Sequence, residues 1–233
     1  MTNRLFILTV ALLAGCATPL PSSDHVAIDQ VPMYGGMDRS SISQLKAADE
    51  KLISDTTTHY GSREKASAAF VNNGFIYYQK NDLANATRRF NQAWLLDPNN
   101  PEVYWGFGSI LNDQGKNCEA MKMIDKALNL NPPSSQGIFP DAGRMTALCA
   151  AGDTSLSAEE KSKLLLRSES LYQEAEKIEP NKGYLYASWA TAYYWRGQYR
   201  EAWAMVAKSR AVGGTLPEKF LALLRAKLVE PAQ

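Results

Sequence analysis

Serines spaced from lysines, histidines and cysteines are the residues of this chain with the chemistry to catalyse or to ligate. Ser43-Gln-Leu-Lys46 and Ser62-Arg-Glu-Lys65 carry the Ser-x-x-Lys spacing of some acyl-enzymes, whose serine is the nucleophile. Neither is accompanied by the partner motifs that such acyl-enzymes use, and Ser62 reads instead as a helix N-cap. The two histidines, His25 and His59, do not belong to a cluster of Cys, His and carboxylate at metal-ligand spacing, so no metal is expected. Gly106-Phe-Gly108 has the glycines of a phosphate-cradling loop, but it sits inside a helical pattern rather than after a strand. Glu159-Glu160 falls in a first helical turn, where acids favour the helix dipole. No nucleophile, base and orienting group come together, so neither catalytic residues nor a cofactor are expected, and the chain does not read as an enzyme.

The elements that would position any site are more informative than the candidate groups. Gly74, Tyr77, Ala86, Phe90, Ala93 and Pro98 return 34 positions later as Gly108, Leu111, Ala120, Ile124, Ala127 and Pro132. A period of 34 with small and large residues at fixed places describes a helical hairpin that must stack on its neighbours to bury its apolar face. Gly74 and Ala86 suit a close approach of two backbones, with Phe70, Tyr77 and Phe90 filling the space around it. Pro98 and Pro132 end the second helix of each hairpin. The pattern resembles the tetratricopeptide repeat family. Its bulky residue at position 4 appears as Phe70 and Tyr104, its position 7 as Phe107, and Asn73 is a polar departure there.

Downstream the register shifts once. Pro180 follows Pro132 by 48 residues and Ala190 follows Gly108 by 82, so one insertion of 14 residues accounts for both. It falls in Gly152 to Lys163, where Ser157 and Glu160 form a capping-box pattern that starts a long helix near Ala158, running to about Ile178. Met145, Leu148, Tyr172 and Ala175 supply the third repeat's core, while Pro140 and Ala142-Gly143 depart from the pattern. A fourth repeat contains Tyr186, Trp189, Ala190, Tyr193, Ala202 and Val206 and ends at Gly213-Gly214. After Pro217, Phe220, Leu221, Leu224 and Leu228 mark one face of a capping helix. The expected fold is all-α: a right-handed α-solenoid of about four such hairpins, in residues 67–230, with repeats at 67–100, 101–134, 135–182 and 183–214 and a cap at 217–229.

The amino terminus reads as an address. Arg4, an apolar run from Leu5 to Leu13, and Ala14-Gly15-Cys16 form a secretory signal over residues 1–15, too short to span a bilayer. Leu13-Ala14-Gly15-Cys16 resembles the bacterial lipoprotein box, which implies acylation of Cys16, by palmitate or a similar chain. Ala17 after it implies the outer membrane of a Gram-negative cell, with the body facing the periplasm. Residues 16–40, rich in Pro, Ser, Gly and Met, read as a flexible tether; the alternative for Val31-Pro32-Met33-Tyr34-Gly35-Gly36 is a docking peptide. Residues 41–66 hold a short helix, with Leu45, Ala48 and Leu52 at helical spacing, and a linker.

The 233 residues carry a net charge of +1 without a basic stripe, which disfavours nucleic acid. In the stack, Cys118 opens the second helix of repeat two and Cys149 closes the first helix of repeat three. These are neighbouring ends of antiparallel helices, and an oxidising envelope compartment would join them. The alternative is two buried thiols acting as small apolar residues.

The repeat family implies a concave binding face on the first helices. Matching positions are Val71, Phe75, Tyr78 and Gln79, with Asn72 beside them. Repeat two adds Glu102, Trp105, Ser109, Asn112 and Asp113, and repeat four adds Tyr184, Ala187, Thr191, Tyr194 and Trp195. Aromatics beside amides and acids suit a peptide or protein partner in the periplasm, or they pack internally. The family's carboxylate clamp is absent, since Val71 and Glu102 stand where its Lys and Arg belong. The expected function is an interaction adaptor or scaffold anchored to the outer membrane; the alternative is an assembly subunit that self-associates. Resemblance to lipoproteins of this type implies pilus-assembly machinery or peptidoglycan-remodelling enzymes as partner classes.

Overall fold

A computed structural model describes residues 26–133 and 137–231, which are all-helical apart from their connections. After α1 (Ser43–Tyr60), eight helices form four antiparallel pairs. The pairs are α2 (Arg63–Gln79) with α3 (Leu83–Leu96), and α4 (Pro101–Asp113) with α5 (Asn117–Asn129). Then come α6 (Ile138–Gly152) with α7 (Ala158–Ile178), and α8 (Lys182–Trp195) with α9 (Tyr199–Ala211). α10 (Glu218–Arg225) closes the stack, with Leu221 and Leu224 buried against the last pair. The fold is an α-solenoid of repeat hairpins.

Local chemistry sets the boundaries. Ser62, Asp82, Asn100 and Asn181 each accept a backbone N–H of the turn they open. Ser157 and Glu160 satisfy each other's backbone donors in a full capping box at the start of α7. Between the two helices of a pair the chain reverses through one left-handed residue: Asn81 (φ 58°), Gly115 (φ 75°) and Gly197 (φ 74°). These stand at the same repeat position, and only glycine or asparagine adopts that conformation readily. Repeat three has the Asp153–Ser157 turn there instead, which is where the insertion enters.

The small residues act on side chains more than on backbones. A Cβ on Gly74 would lie 2.6 Å from the Phe90 ring, and one on Gly106 only 2.4 Å from it. Phe90 is therefore clamped between two glycines of successive first helices, which corrects the expectation that Gly74 brings helix backbones together. Gly143 plays the same part for Tyr172, 2.8 Å from a built Cβ. Gly108 faces backbone, 3.3 Å from the Ala120 carbonyl, and Gly183 and Gly214 bring two backbones together, with a built Cβ 2.8 Å and 2.6 Å from the other's Cα. Buried side chains form two clusters that meet inside α6: the first runs from Ala66 to Met145, the second from Ala147 to Leu224.

The tether expectation is corrected over its described part, since residues 26–41 are packed on the stack. Asn91 Nδ2 donates to the carbonyls of Asp29 and Val31, both at 2.9 Å, and Arg88 pairs with Asp29 at 2.8 Å. Met33 and Tyr34 adopt left-handed φ of 51° and 52°, a conformation that costs about 1–2 kcal/mol per residue. Burial of Tyr34 offsets this, with the Arg39 guanidinium 4.0 Å from its ring and Arg39 in turn held by Asp49. Composition did not reveal a strap because its apolar residues follow neither helical nor strand periodicity. In α1, Leu52 and Ile53 pack on the first repeat while Ala48 is exposed. The signal segment and Cys16 lie outside the described residues.

Candidate partner-binding groove

Each first helix touches the first helix of the next repeat, so α2, α4, α6 and α8 form the inner layer of the stack. The expected groove residues fall on this layer in three different states. Asn72 and Gln79 are exposed, and Trp195 is 55% exposed. Phe75 and Trp105 are half-buried and lean on each other at 5.1 Å, Phe75 also meeting Phe90 edge-on. Thr191 is half-buried and returns its hydroxyl to the Ala187 carbonyl. Three expectations are corrected. Val71 and Ser109 are buried in the core. Tyr194 packs against Tyr199 and Phe220, so it belongs to the cap contact rather than to an open groove.

At the centre stands a carboxylate that the repeat pattern does not single out. Asp141, only 4% exposed, accepts Trp105 Nε1 at 2.8 Å from α4, an Arg144 Nη2 hydrogen at 2.6 Å from its own helix, and the Tyr184 hydroxyl from α8. One side chain thus ties three repeats together. Burial and then the Asp141 charge push the Tyr184 phenol well above its ordinary range. Burial is the strongest influence on Arg144 and opposes its charge, but Asp141 together with Tyr184, Tyr172 and Tyr78 outweighs it and holds the guanidinium protonated. Burial, followed by the Asp113 carboxylate, likewise raises the Tyr78 phenol. The available sequence signal was Asp141 and Arg144 at i and i+3 on a helix otherwise lined by Ile138, Ala142 and Met145.

Beside this network opens a cleft of about 470 Å³. Asn112, Gly115 and Asn117 form one wall, Arg144, Leu148, Ala151 and Gly152 the second, and Thr191 with Trp195 the third. Among the described residues, Asn112 Oδ1 and Arg144 Nε are buried without a hydrogen-bond partner. At the rim, Cys118 and Cys149 are joined by a disulfide with Cα atoms 4.6 Å apart. Among the described residues no group of three His, Cys, Asp or Glu side chains is placed to hold a metal. No helix among them is long and apolar enough to cross a membrane.

Stacked hairpins with an open polar-and-aromatic cleft on their inner layer make this a helical-repeat protein. A family model described as TPR repeat matches residues 74–115. The matched stretch lies within the stacked hairpins, so these are tetratricopeptide-type repeats, a kind of repeat that generally mediates protein–protein interaction. A search of the curated proteins finds no match.

Proposed function

We propose that the chain is an adaptor that receives a peptide or protein segment in the inner-layer groove, held at the periplasmic face of the outer membrane by lipid on Cys16. The observation that carries the groove reading is the cleft between α4, α6 and α8, with Trp195 exposed beside the Arg144 guanidinium. An exposed tryptophan and an arginine at the edge of a concave surface are the side chains that most often dominate binding energy. The anchor rests on the Leu13-Ala14-Gly15-Cys16 segment and on Ala17 after it.

A photoreactive side chain at Trp195 in living cells tests the groove, with one at exposed Ala207 as control. Crosslinks from position 195 alone are expected; crosslinks from 207 alone would place binding on the outer face. Metabolic labelling with a fatty acid, lost in Cys16→Ser, tests the anchor. Exposed Leu223 (45%) and Val229 (81%) near the cap favour self-association as a second reading, for which sedimentation across a concentration range is decisive.

A further inference from the structure

We propose that the Cys118–Cys149 disulfide is a redox latch on the cleft, closed when oxidised and released by a dithiol reductant. The inference deepens the groove reading and rests on it. Cys118 directly follows Asn117 of one cleft wall, and Cys149 lies between Leu148 and Ala151 of the facing wall. The bond therefore fixes the separation of the two surfaces that shape the cleft. The apolar packing between α5 and α6, through Ile124, Ala127, Ala142 and Met145, lies toward the other end of α6, so at the Cys149 end the disulfide is the covalent tie between the two walls.

The latch also sits close to the boundary between the two core clusters. The α5 residues Ala120, Ile124 and Ala127 belong to the first core cluster, whereas Ala147 on α6 already belongs to the second. Cys149 lies beyond that junction, so the disulfide joins the first half of the core to the helix end that leads into the second. Asp141 still couples the repeats through Trp105 and Tyr184 at the opposite end of α6. Breaking the disulfide thus loosens one end of α6 while the other stays held. The cleft deforms, but the fold persists.

The exchange is directional. Cys149 is 1% exposed and Cys118 half-buried, so a reductant's thiolate reaches Cys118 Sγ. The S–S bond breaks, Cys149 leaves as a thiolate and takes a proton. The reductant's second thiol then displaces Cys118 Sγ, which takes the other proton, and the reductant departs as its own disulfide. Two electrons and two protons pass to the protein. Asp153 Oδ2 lies 3.5 Å from Cys118 Sγ, and its charge repels the incoming thiolate. Asp153→Asn should speed reduction about fivefold.

Hydrogen exchange on the full chain, oxidised and after dithiothreitol, tests the latch. At least tenfold faster exchange is expected in 112–118 and 146–152, with 66–74 and 185–192 unchanged and helical circular dichroism retained. Equal exchange in both states, or uniform acceleration along the chain, would overturn it. The Cys118→Ser, Cys149→Ser chain should behave as the reduced form does. Photocrosslinks from position 195 should fall on reduction. If they are equal in both states the latch fails; if they are absent from both, the groove reading fails and the exchange pattern alone decides the latch.

Discussion

Replacing Asp141 with alanine removes the acceptor that three side chains share, and the cost follows from their geometry. Trp105 Nε1 and the Tyr184 hydroxyl lose their partner; Trp105 is half-buried and Tyr184 39% exposed, so each costs about 1 kcal/mol, the low end for an unpaired donor. Arg144 loses its counter-ion, which costs about 3–5 kcal/mol in a fully buried pair. Its side chain is 25% exposed, so water recovers part of that, and the three effects overlap because the side chains relax together. A net loss of about 4 kcal/mol is expected. In a chain of this size that lowers Tm by about 8–16 °C. Asp141→Asn keeps the shape and one acceptor oxygen but turns an N–H toward a donor on the other side, so it should lose about 2–3 kcal/mol, mostly through the unpaired guanidinium. Adding Arg144→Met should recover about 1–2 kcal/mol of that loss, a non-additivity that isolates the charge pair. Urea unfolding followed by far-UV circular dichroism measures all of these. An alanine variant within about 1 kcal/mol of the parent, or strictly additive double variants, would refute the view that this carboxylate couples three repeats.

Gly106→Ala sets a gain in helix propensity of about 1 kcal/mol against overpacking of about 1–3 kcal/mol, since its Cβ would lie 2.4 Å from Phe90. A net loss is expected that disappears when Phe90 is also replaced by leucine; the same loss in both backgrounds would mean that the ring is not the obstacle. The strap should release in alkali. Burial raises the Tyr34 phenol to about 12 from 10.0, against the opposing pull of Arg39. A group raised in the packed state stabilises that state fully below its free pKa. The contribution, about 2.7 kcal/mol for two pH units, is lost as pH rises from 10 to 12. Fluorescence anisotropy of a label at exposed Val26 should drop in that interval, and Tyr34→Phe should shift the drop upward; an unchanged midpoint would exclude Tyr34 as the titrating group.

The repeat was legible because its constraints are periodic. Phe90, Ile124, Tyr172 and Val206 occupy one position in four hairpins, all of them buried, and the 14-residue insertion is visible as a single offset. The turn residues Asn81, Gly115 and Gly197 carry the same offset and would have located each hairpin from the chain alone. The strap was not legible because aperiodic contacts hold it, above all the Asn91 side chain sixty and sixty-two residues from the carbonyls it binds. Groove positions failed where register alone assigns a face. Val71 and Tyr194 sit at family positions that line a groove, yet each is turned toward apolar neighbours.

The third repeat departs from the pattern where polar groups replace apolar stacking between hairpins. Pro140 has no N–H, and its carbonyl accepts the Ser188 hydroxyl from the next repeat at 3.1 Å. Tyr172 passes over Gly143 to reach the Ser188 carbonyl at 3.0 Å, a path that a side chain at 143 would block. Asp141, next to Pro140, reaches both neighbouring repeats through Trp105 and Tyr184. The residues that weaken the repeat signature are therefore those that build a polar seam across repeats two, three and four. Apolar stacking tolerates small slides of one hairpin on the next, whereas short hydrogen bonds to buried groups do not. A seam of this kind fixes the angle between repeats, and with it the shape of the cleft that opens beside it. The cleft thus lies where the chain gives up regularity for a defined geometry, which is where local rules are expected to yield to function.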